Sequence, residues 1–150
     1  MTKVEGSIFI SGVPQEVYKF TKQLERFPEF IPDIKEVKVV SRDVNSTVTE
    51  WASEIEGITI YWKEKDNFDD DNLVISYYLL EGDLDKFEGK WSFKPQDGGT
   101  LVTLEVNYDF GLPTFTSIMG PLLKIKVKGN VEAMLKAIKK EFELDKSGTK

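Results

Sequence analysis

The chain contains no cysteine and no histidine, and only two of its basic residues, Arg26 and Arg42, are arginine. Without cysteine there are no disulfides and no thiolate metal sites. Without histidine the commonest general base and the commonest zinc ligand are both missing. No apolar run approaches the ~20 residues of a membrane-spanning helix. The first residues, Met1-Thr2-Lys3-Val4-Glu5-Gly6, hold no signal-peptide core, so a cytoplasmic location is the expectation. Acidic residues outnumber basic ones, 26 to 20, for a net charge of −6. That balance disfavours nucleic acid, whose phosphates demand clustered Lys and Arg, and an anionic membrane surface. There is no glycine-rich phosphate loop, no Ser-His-Asp set and no metal-binding cluster. Asp69-Asp70-Asp71 lacks the Gly and closing Glu of a calcium loop and reads as a solvated turn. No cofactor and no metal are expected, and nothing bears on oligomeric state.

What is present is organised around Pro113 to Glu143, the longest run that one helix can span. Phe115, Ile118, Met119, Leu122, Leu123, Val127, Val131, Met134, Leu135, Ile138 and Phe142 recur at spacings of three and four, one apolar stripe. No residue from Pro113 to Leu123 is charged, whereas charges are frequent from Lys124 onward. Gly120-Pro121 interrupts the uncharged half, so a kink or a looser first segment is expected there. That half fits a lid beside a cavity, or plain core packing with a kink.

Upstream the pattern is mostly strand. Val4, Gly6, Ile8 and Ile10 alternate with Glu5, Ser7 and Phe9. Pro14 suits a helix start, and Val13, Val17, Phe20 and Leu24 mark one helical face. Pro28 and Pro32 limit a second short helix to Phe27–Ile31. Six strands follow: 35–42, 47–55, 58–66, 73–80, 87–95 and 100–110, each break carrying Gly, Asn or Asp. Short connections make neighbours antiparallel, and a strongly twisted sheet curls, leaving a concave face for the long helix. The predicted fold is α+β: a curved seven-stranded antiparallel sheet wrapped around a long C-terminal helix, with two short helices between strands 1 and 2. Residues 1–144 form one domain and 145–150 a flexible tail.

Parity sorts the aromatics. Trp51 shares a face with Thr49, Ser53 and Ile55; Trp62 with Ile60, Glu64 and Asp66; Tyr77 with Ile75; Phe87 with Trp91 and Phe93; Tyr108 with Val106 and Phe110. A solid core favours Leu, Ile, Val and Phe, because a buried Tyr or Trp must find a partner for its polar tip. Large rings with polar tips facing inward describe a small-molecule pocket; Phe93 reads as ordinary core. Asp66 is expected past the sheet's edge in water, beside the acidic turn. Glu64 is open between that fate and burial, where its pKa would rise and make it a candidate acid or base.

Four stretches carry a family resemblance. They are Phe27-Pro28-Glu29-Phe30; Gly57 to Trp62 leading to Asp69; Glu81-Gly82 followed by Phe87-Glu88-Gly89-Lys90-Trp91-Ser92-Phe93; and Gly98-Gly99-Thr100 running into Val102 and Leu104. With the closing helix they resemble the helix-grip fold of the START/Bet v 1 superfamily. The nearer resemblance is to the polyketide cyclase/dehydrase family, with coenzyme Q-binding proteins as neighbours. The resemblance implies a pocket between sheet and helix for a hydrophobic or polyaromatic ligand. Aromatase/cyclase members carry Trp-x-Ser-x-Arg after the glycine, with Ser and Arg implicated in handling the polyketide. Here that stretch is Trp62-Lys63-Glu64-Lys65-Asp66, with Glu64 at the serine position and Asp66 at the arginine position. The tyrosine that those members place after the Trp-Pro-Glu element is Ile34 here. A cation suited to an enolate is thus replaced by an anion that would repel it.

The expected function is therefore binding of a lipid, quinone or polyaromatic, polyketide-like molecule. The sheet would supply Trp51, Trp62, Tyr77, Phe87, Trp91 and Tyr108, and the helix Phe115, Ile118, Met119 and Leu122. The alternative is a cyclase/dehydratase in the same pocket with Glu64 as acid or base and Tyr77 or Tyr108 as hydrogen-bond donor.

Overall fold

In the computed structural model the backbone is described for residues 1–55, 57–110 and 113–147, and the side chains for 1–55, 57–110 and 120–145. Seven strands form one antiparallel sheet: β1 (Thr2–Ile10), β2 (Ile34–Arg42), β3 (Ser46–Ile55), β4 (Ile58–Asp69), β5 (Val74–Gly82), β6 (Lys86–Gln96) and β7 (Gly99–Asp109). Helices α1 (Pro14–Thr21) and α2 (Phe27–Phe30), separated by a 3-10 turn at Leu24–Arg26, connect β1 to β2, and α3 (Pro113–Ser147) closes the chain. The strand order is β1-β7-β6-β5-β4-β3-β2. This is the helix-grip architecture that the sequence predicts, with two boundaries that differ by more than two residues. β4 runs on from Asp66 to Asp69, and the helical backbone continues through Asp145–Ser147, inside the stretch expected as a tail.

The hairpin turns fall at two ends of the sheet. The β3–β4 and β5–β6 turns gather at one end with the close of β7; the β2–β3, β4–β5 and β6–β7 turns gather at the other. Helix α1 covers the second end, where Tyr18 Oη donates to Asp70 Oδ1 at 2.6 Å and the Tyr18 ring meets Phe93 edge-on. Phe27 of α2 is fully buried against Trp51 and Trp91, so it forms part of the floor of the concavity.

The charged half of α3 behaves as its spacing predicts. Val127, Val131, Leu135, Ile138 and Phe142 are all buried, one continuous stripe. The stripe packs chiefly on β1, where Gly6 makes the approach possible. A Cβ on Gly6 would stand 3.0 Å from Val131 Cγ1 and 3.2 Å from Leu135 Cδ1. As an edge strand, β1 has carbonyls that no neighbouring strand pairs. Two lysines of α3 serve them: Lys128 Nζ donates to Glu5 O, and Lys139 Nζ donates to Phe9 O at 2.6 Å. Pro121 lies within the helix, and its missing N–H withholds one helical hydrogen bond there. No helix among the described residues is long and apolar enough to cross a membrane.

Phe142 anchors the far end of this contact. It stacks edge-on against Phe20 at 5.5 Å, and it crowds the position where Gly12 lacks a side chain. Phe142→Ala is expected to destabilise the fold by about 3–4 kcal/mol, as large-to-small core changes do. Urea denaturation measures this; a loss below about 1 kcal/mol would mean the helix is not clamped at that end.

Candidate functional site

Between the concave sheet and α3 lies a cavity of about 110 Å³. Its wall combines residues of β3 to β7 with Leu24, Ile34 and one face of α3. The lining residues Ile55, Ile60, Trp62, Phe87 and Phe110 are partly exposed, whereas Asp66, Ile75, Trp91 and Leu104 are buried. The cavity therefore opens toward the β3–β4 turn and closes toward the β4–β5 turn.

All six sheet aromatics singled out from the sequence border this space: Trp51, Trp62, Tyr77, Phe87, Trp91 and Tyr108. Trp51 and Trp62 are cross-strand partners on β3 and β4. Their rings stack 5.5 Å apart at 10°, the kind of pair that stabilises a sheet face. Phe87 continues the wall, 5.1 Å from Trp62 and 5.2 Å from Tyr77. The four helix positions fare differently. Phe115, Ile118 and Met119 lie outside the described side chains. Leu122 is not part of the lining; it is 49% exposed. Its neighbour Leu123 takes the core-facing place instead, because successive residues of a helix stand about 100° apart.

Three of the inward rings have a partner for their polar tips. Trp62 Nε1 donates to Glu64 Oε1 at 2.7 Å, and Trp51 Nε1 donates to Thr49 Oγ1 at 2.7 Å. Tyr77 Oη donates to the carbonyl of Glu105 at 2.8 Å, reaching across β6 at Gly89. A Cβ on Gly89 would fall 1.9 Å from Glu105 O and 2.5 Å from Tyr77 Oη, so only glycine leaves that path open. Burial raises the pKa of Tyr77, with the negative charges of Glu64 and Glu105 adding to it. Burial also raises that of Tyr108.

Asp66 corrects the expectation that it lies in water. It is completely buried. β4 continues three residues beyond it, and it is flanked by Thr47 on β3 and Tyr77 on β5, so it stands mid-sheet. Thr47 Oγ1 and Thr49 Oγ1 donate to Asp66 Oδ2 at 2.9 and 2.6 Å. Asp66 Oδ1 is buried without a hydrogen-bond partner. Glu64 lines the cavity beside it and is also buried. Its pKa is raised well above the usual carboxylate value, first by burial, then by hydrogen-bonding proximity to Asp66 and by that group's negative charge. A shift between the pairing of Lys63 with Glu81 and of Glu64 with Leu79 leaves Leu80 as an extra residue on β5, a bulge that bends β5 opposite Glu64.

Asn130, which the sequence reading passed over, also borders the cavity, and its Nδ2 donates to Glu54 O at 3.4 Å, tying α3 to β3. The signal was present: Val127, Asn130, Val131 and Met134 share one helix face, and Asn is the polar member of it. Among the described residues no group of three carboxylates gathers as a metal site.

Comparisons with known proteins agree with this geometry. The family model described as "Polyketide cyclase / dehydrase and lipid transport" matches residues 10–135. The structure of TTHA0849 from Thermus thermophilus superposes with a TM-score of 0.92 at 29% identity, covering 96% of this chain and 99% of that one. The Zhui aromatase/cyclase from Streptomyces sp. R1128 superposes with a TM-score of 0.85 at 17% identity, covering 95% and 94%, a likeness of fold. Major latex protein 22 of Papaver somniferum is 33% identical over 102 residues, 63% of this chain, and the match spans 65% of that protein's length. The helix-grip architecture of these neighbours is that of the START/Bet v 1 superfamily.

The raised pKa of Glu64 gives stability a sign with pH. Its folded pKa lies above the ordinary value of 4.5, so above that pH the folded state holds a proton that the unfolded chain releases. The contribution is complete below about pH 4.5 and is lost as pH rises toward the folded value. Glu64→Gln keeps the acceptor for Trp62 without the titration. At pH 8 it is expected to be more stable than the parent by about 1 kcal/mol or more, the gain vanishing near pH 4. Denaturation at the two pH values checks this; equal losses at both would show that the carboxyl itself is required.

Proposed function

The chain belongs to the polyketide cyclase/dehydrase and lipid transport family, and from that membership we propose that it binds a small hydrophobic molecule between the sheet and α3. The class is a lipid, a quinone or a polyaromatic, polyketide-like compound. The observation that carries the reading is the unfilled, aromatic-walled space itself. Protein interiors close-pack, leaving few voids larger than a water molecule. A cavity of about 110 Å³ is therefore a feature that costs stability unless something occupies it. It has room for about one aromatic ring or quinone head, with the rest of a longer ligand lying in the mouth. Each 100 Å² of apolar ligand surface buried would contribute about 2.5 kcal/mol before ordering costs.

A second reading, a cyclase or dehydratase, is favoured by one observation: Glu64 lines the cavity and burial raises its pKa well above the usual carboxylate value, as suits a general acid. Binding fits better. The acids at positions 64 and 66 offer no cation to stabilise an enolate, and no Lys or Arg borders the cavity among the described residues.

A panel of quinones, fatty acids and polyaromatics, titrated while tryptophan emission is followed, tests the proposal. At least one member is expected to change the emission of Trp51 and Trp62 and to raise the melting temperature. Val106→Phe, which fills the cavity from β7, is expected to weaken that ligand tenfold or more. Unchanged emission and melting with every member would defeat the binding reading. Turnover of a poly-β-ketone that disappears in Glu64→Gln would establish the second.

A further inference from the structure

We propose that Asn130 of α3 and Ser53 of β3 form a subsite for an uncharged hydroxyl, so that the ligand is a hydroxylated aromatic molecule. The inference rests on the cavity being a ligand site and names the polar group by which the ligand is held.

Three observations carry it. First, the two side chains come from opposite walls and converge. Both border the cavity. Asn130 Nδ2 donates to Glu54 O, and Glu54 follows Ser53 on β3. β2 begins at Ile34, opposite Ser53, so the sheet runs out beside Glu54 and the helix meets it there. The surround is apolar: Ile34, Ile55, Ile60 and Val127 line the same space. A few polar groups converging within apolar walls are what orient a small ligand.

Second, both groups hold hydrogen-bonding capacity that the fold does not spend. An asparagine amide has two N–H donors and an acceptor oxygen. Asn130 uses one donor, at 3.4 Å, longer than the usual range for such a bond. Among the described residues its Oδ1 has no partner, yet it is not sealed off as a buried orphan, so a small polar group can reach it. Ser53 Oγ donates to Asp33 O at 3.2 Å, and that carbonyl already accepts from Glu54 N at 2.8 Å. Ser53 can therefore turn its O–H to a ligand without orphaning Asp33. The ring tips do not compete, because those of Trp51, Trp62 and Tyr77 are bonded into the wall.

Third, the pair selects a group that both donates and accepts. A hydroxyl would donate to Asn130 Oδ1 and accept from Ser53 Oγ. An ether or a quinone carbonyl accepts only, and would leave Oδ1 covered and unpaired. A carboxylate would find no cation, since no Lys or Arg borders the cavity among the described residues. A site built to pair a hydroxyl rejects the analogue that lacks it, because its own polar groups are then stranded. Trp51, two residues before Ser53, lies stacked on Trp62 and offers a flat face to the ring that carries the hydroxyl.

The test compares three probes of similar shape, 4-ethylphenol, 4-ethylanisole and ethylbenzene, by calorimetry at pH 7 on the full chain. The phenol is expected to bind about fivefold or more tightly than either of the others, the size of one net neutral hydrogen bond. In Asn130→Leu that advantage is expected to fall below about twofold while ethylbenzene still binds, which shows the cavity intact. Ser53→Ala, tested independently, is expected to reduce the advantage as well. Asn107→Ala, on the outer face of β7, is expected to leave it unchanged. Equal binding of phenol and ethylbenzene by the unmodified chain overturns the inference without any variant needing to fold. Equal binding of phenol and anisole overturns the role given to Asn130 Oδ1. An advantage that survives in both Asn130→Leu and Ser53→Ala places the hydroxyl elsewhere and overturns the inference too. Binding of all three probes without preference sinks this inference alone. Failure of all three, with no response to the wider hydrophobic panel, removes the cavity reading beneath it.

Discussion

The structure depends on where α3 rests. The helix is pressed against β1, at one edge of the sheet, by the Gly6 gap and by two lysine bonds to edge carbonyls. A helix with its side chains is about 10–12 Å across, and the concave face spans seven strands. One helix held to one side cannot fill that face. What remains over β3, β4 and β5 must be filled by side chains from the sheet or left empty. The sheet fills it in part, with large rings, and Phe27 of α2 supports Trp51 and Trp91 from the α1–α2 side.

Those rings are fixed by their polar tips, and this keeps the space from collapsing. Trp51 is tied to Thr49, Thr49 to Asp66, Trp62 to Glu64 and Tyr77 to the β7 backbone. Each bond points back into the wall, so the apolar faces are turned to the cavity. A leucine in the same place would be free to relax into the gap, and a void that its lining can close costs less. The hydrogen-bonded ring cannot move inward without orphaning its donor. Rigidity here comes from polar atoms, and the hydrophobic character of the site is a consequence of their arrangement.

Much of this was legible beforehand, because periodicity reports which side of an element is buried. Alternation located all seven strands, and the spacing of Val127, Val131, Leu135, Ile138 and Phe142 marked the packed face of α3. The parity of Trp51, Trp62, Tyr77, Phe87, Trp91 and Tyr108 selected residues that do border the cavity. Parity failed where burial depends on neighbours distant in sequence. Asp66 has the right parity, but its burial rests on two threonines of β3 and on strand pairing that extends to Asp69. No local rule predicts a buried acid, since acids are rarely buried. Leu122 failed for a different reason: the stripe on α3 narrows near Gly120-Pro121, and a count of apolar residues cannot say which of two adjacent leucines turns inward.

The two ends of the molecule are built to different standards. Around Phe142 and Leu135 the side chains are buried, Phe20 packs edge-on against Phe142, and Ser11 N donates to Glu143. Around Asp66 there are two buried acids, one with its pKa raised by burial, and a cavity, features that lower stability. Replacing the acids by apolar residues of similar volume would be neutral or stabilising on physical grounds. A fold of marginal stability can carry such a defect only if the remainder of the core compensates, and the C-terminal half of α3 on β1 is the part able to do so. The division follows the chain itself: the charged half of the helix secures the sheet, and the strands farthest from it bear the site.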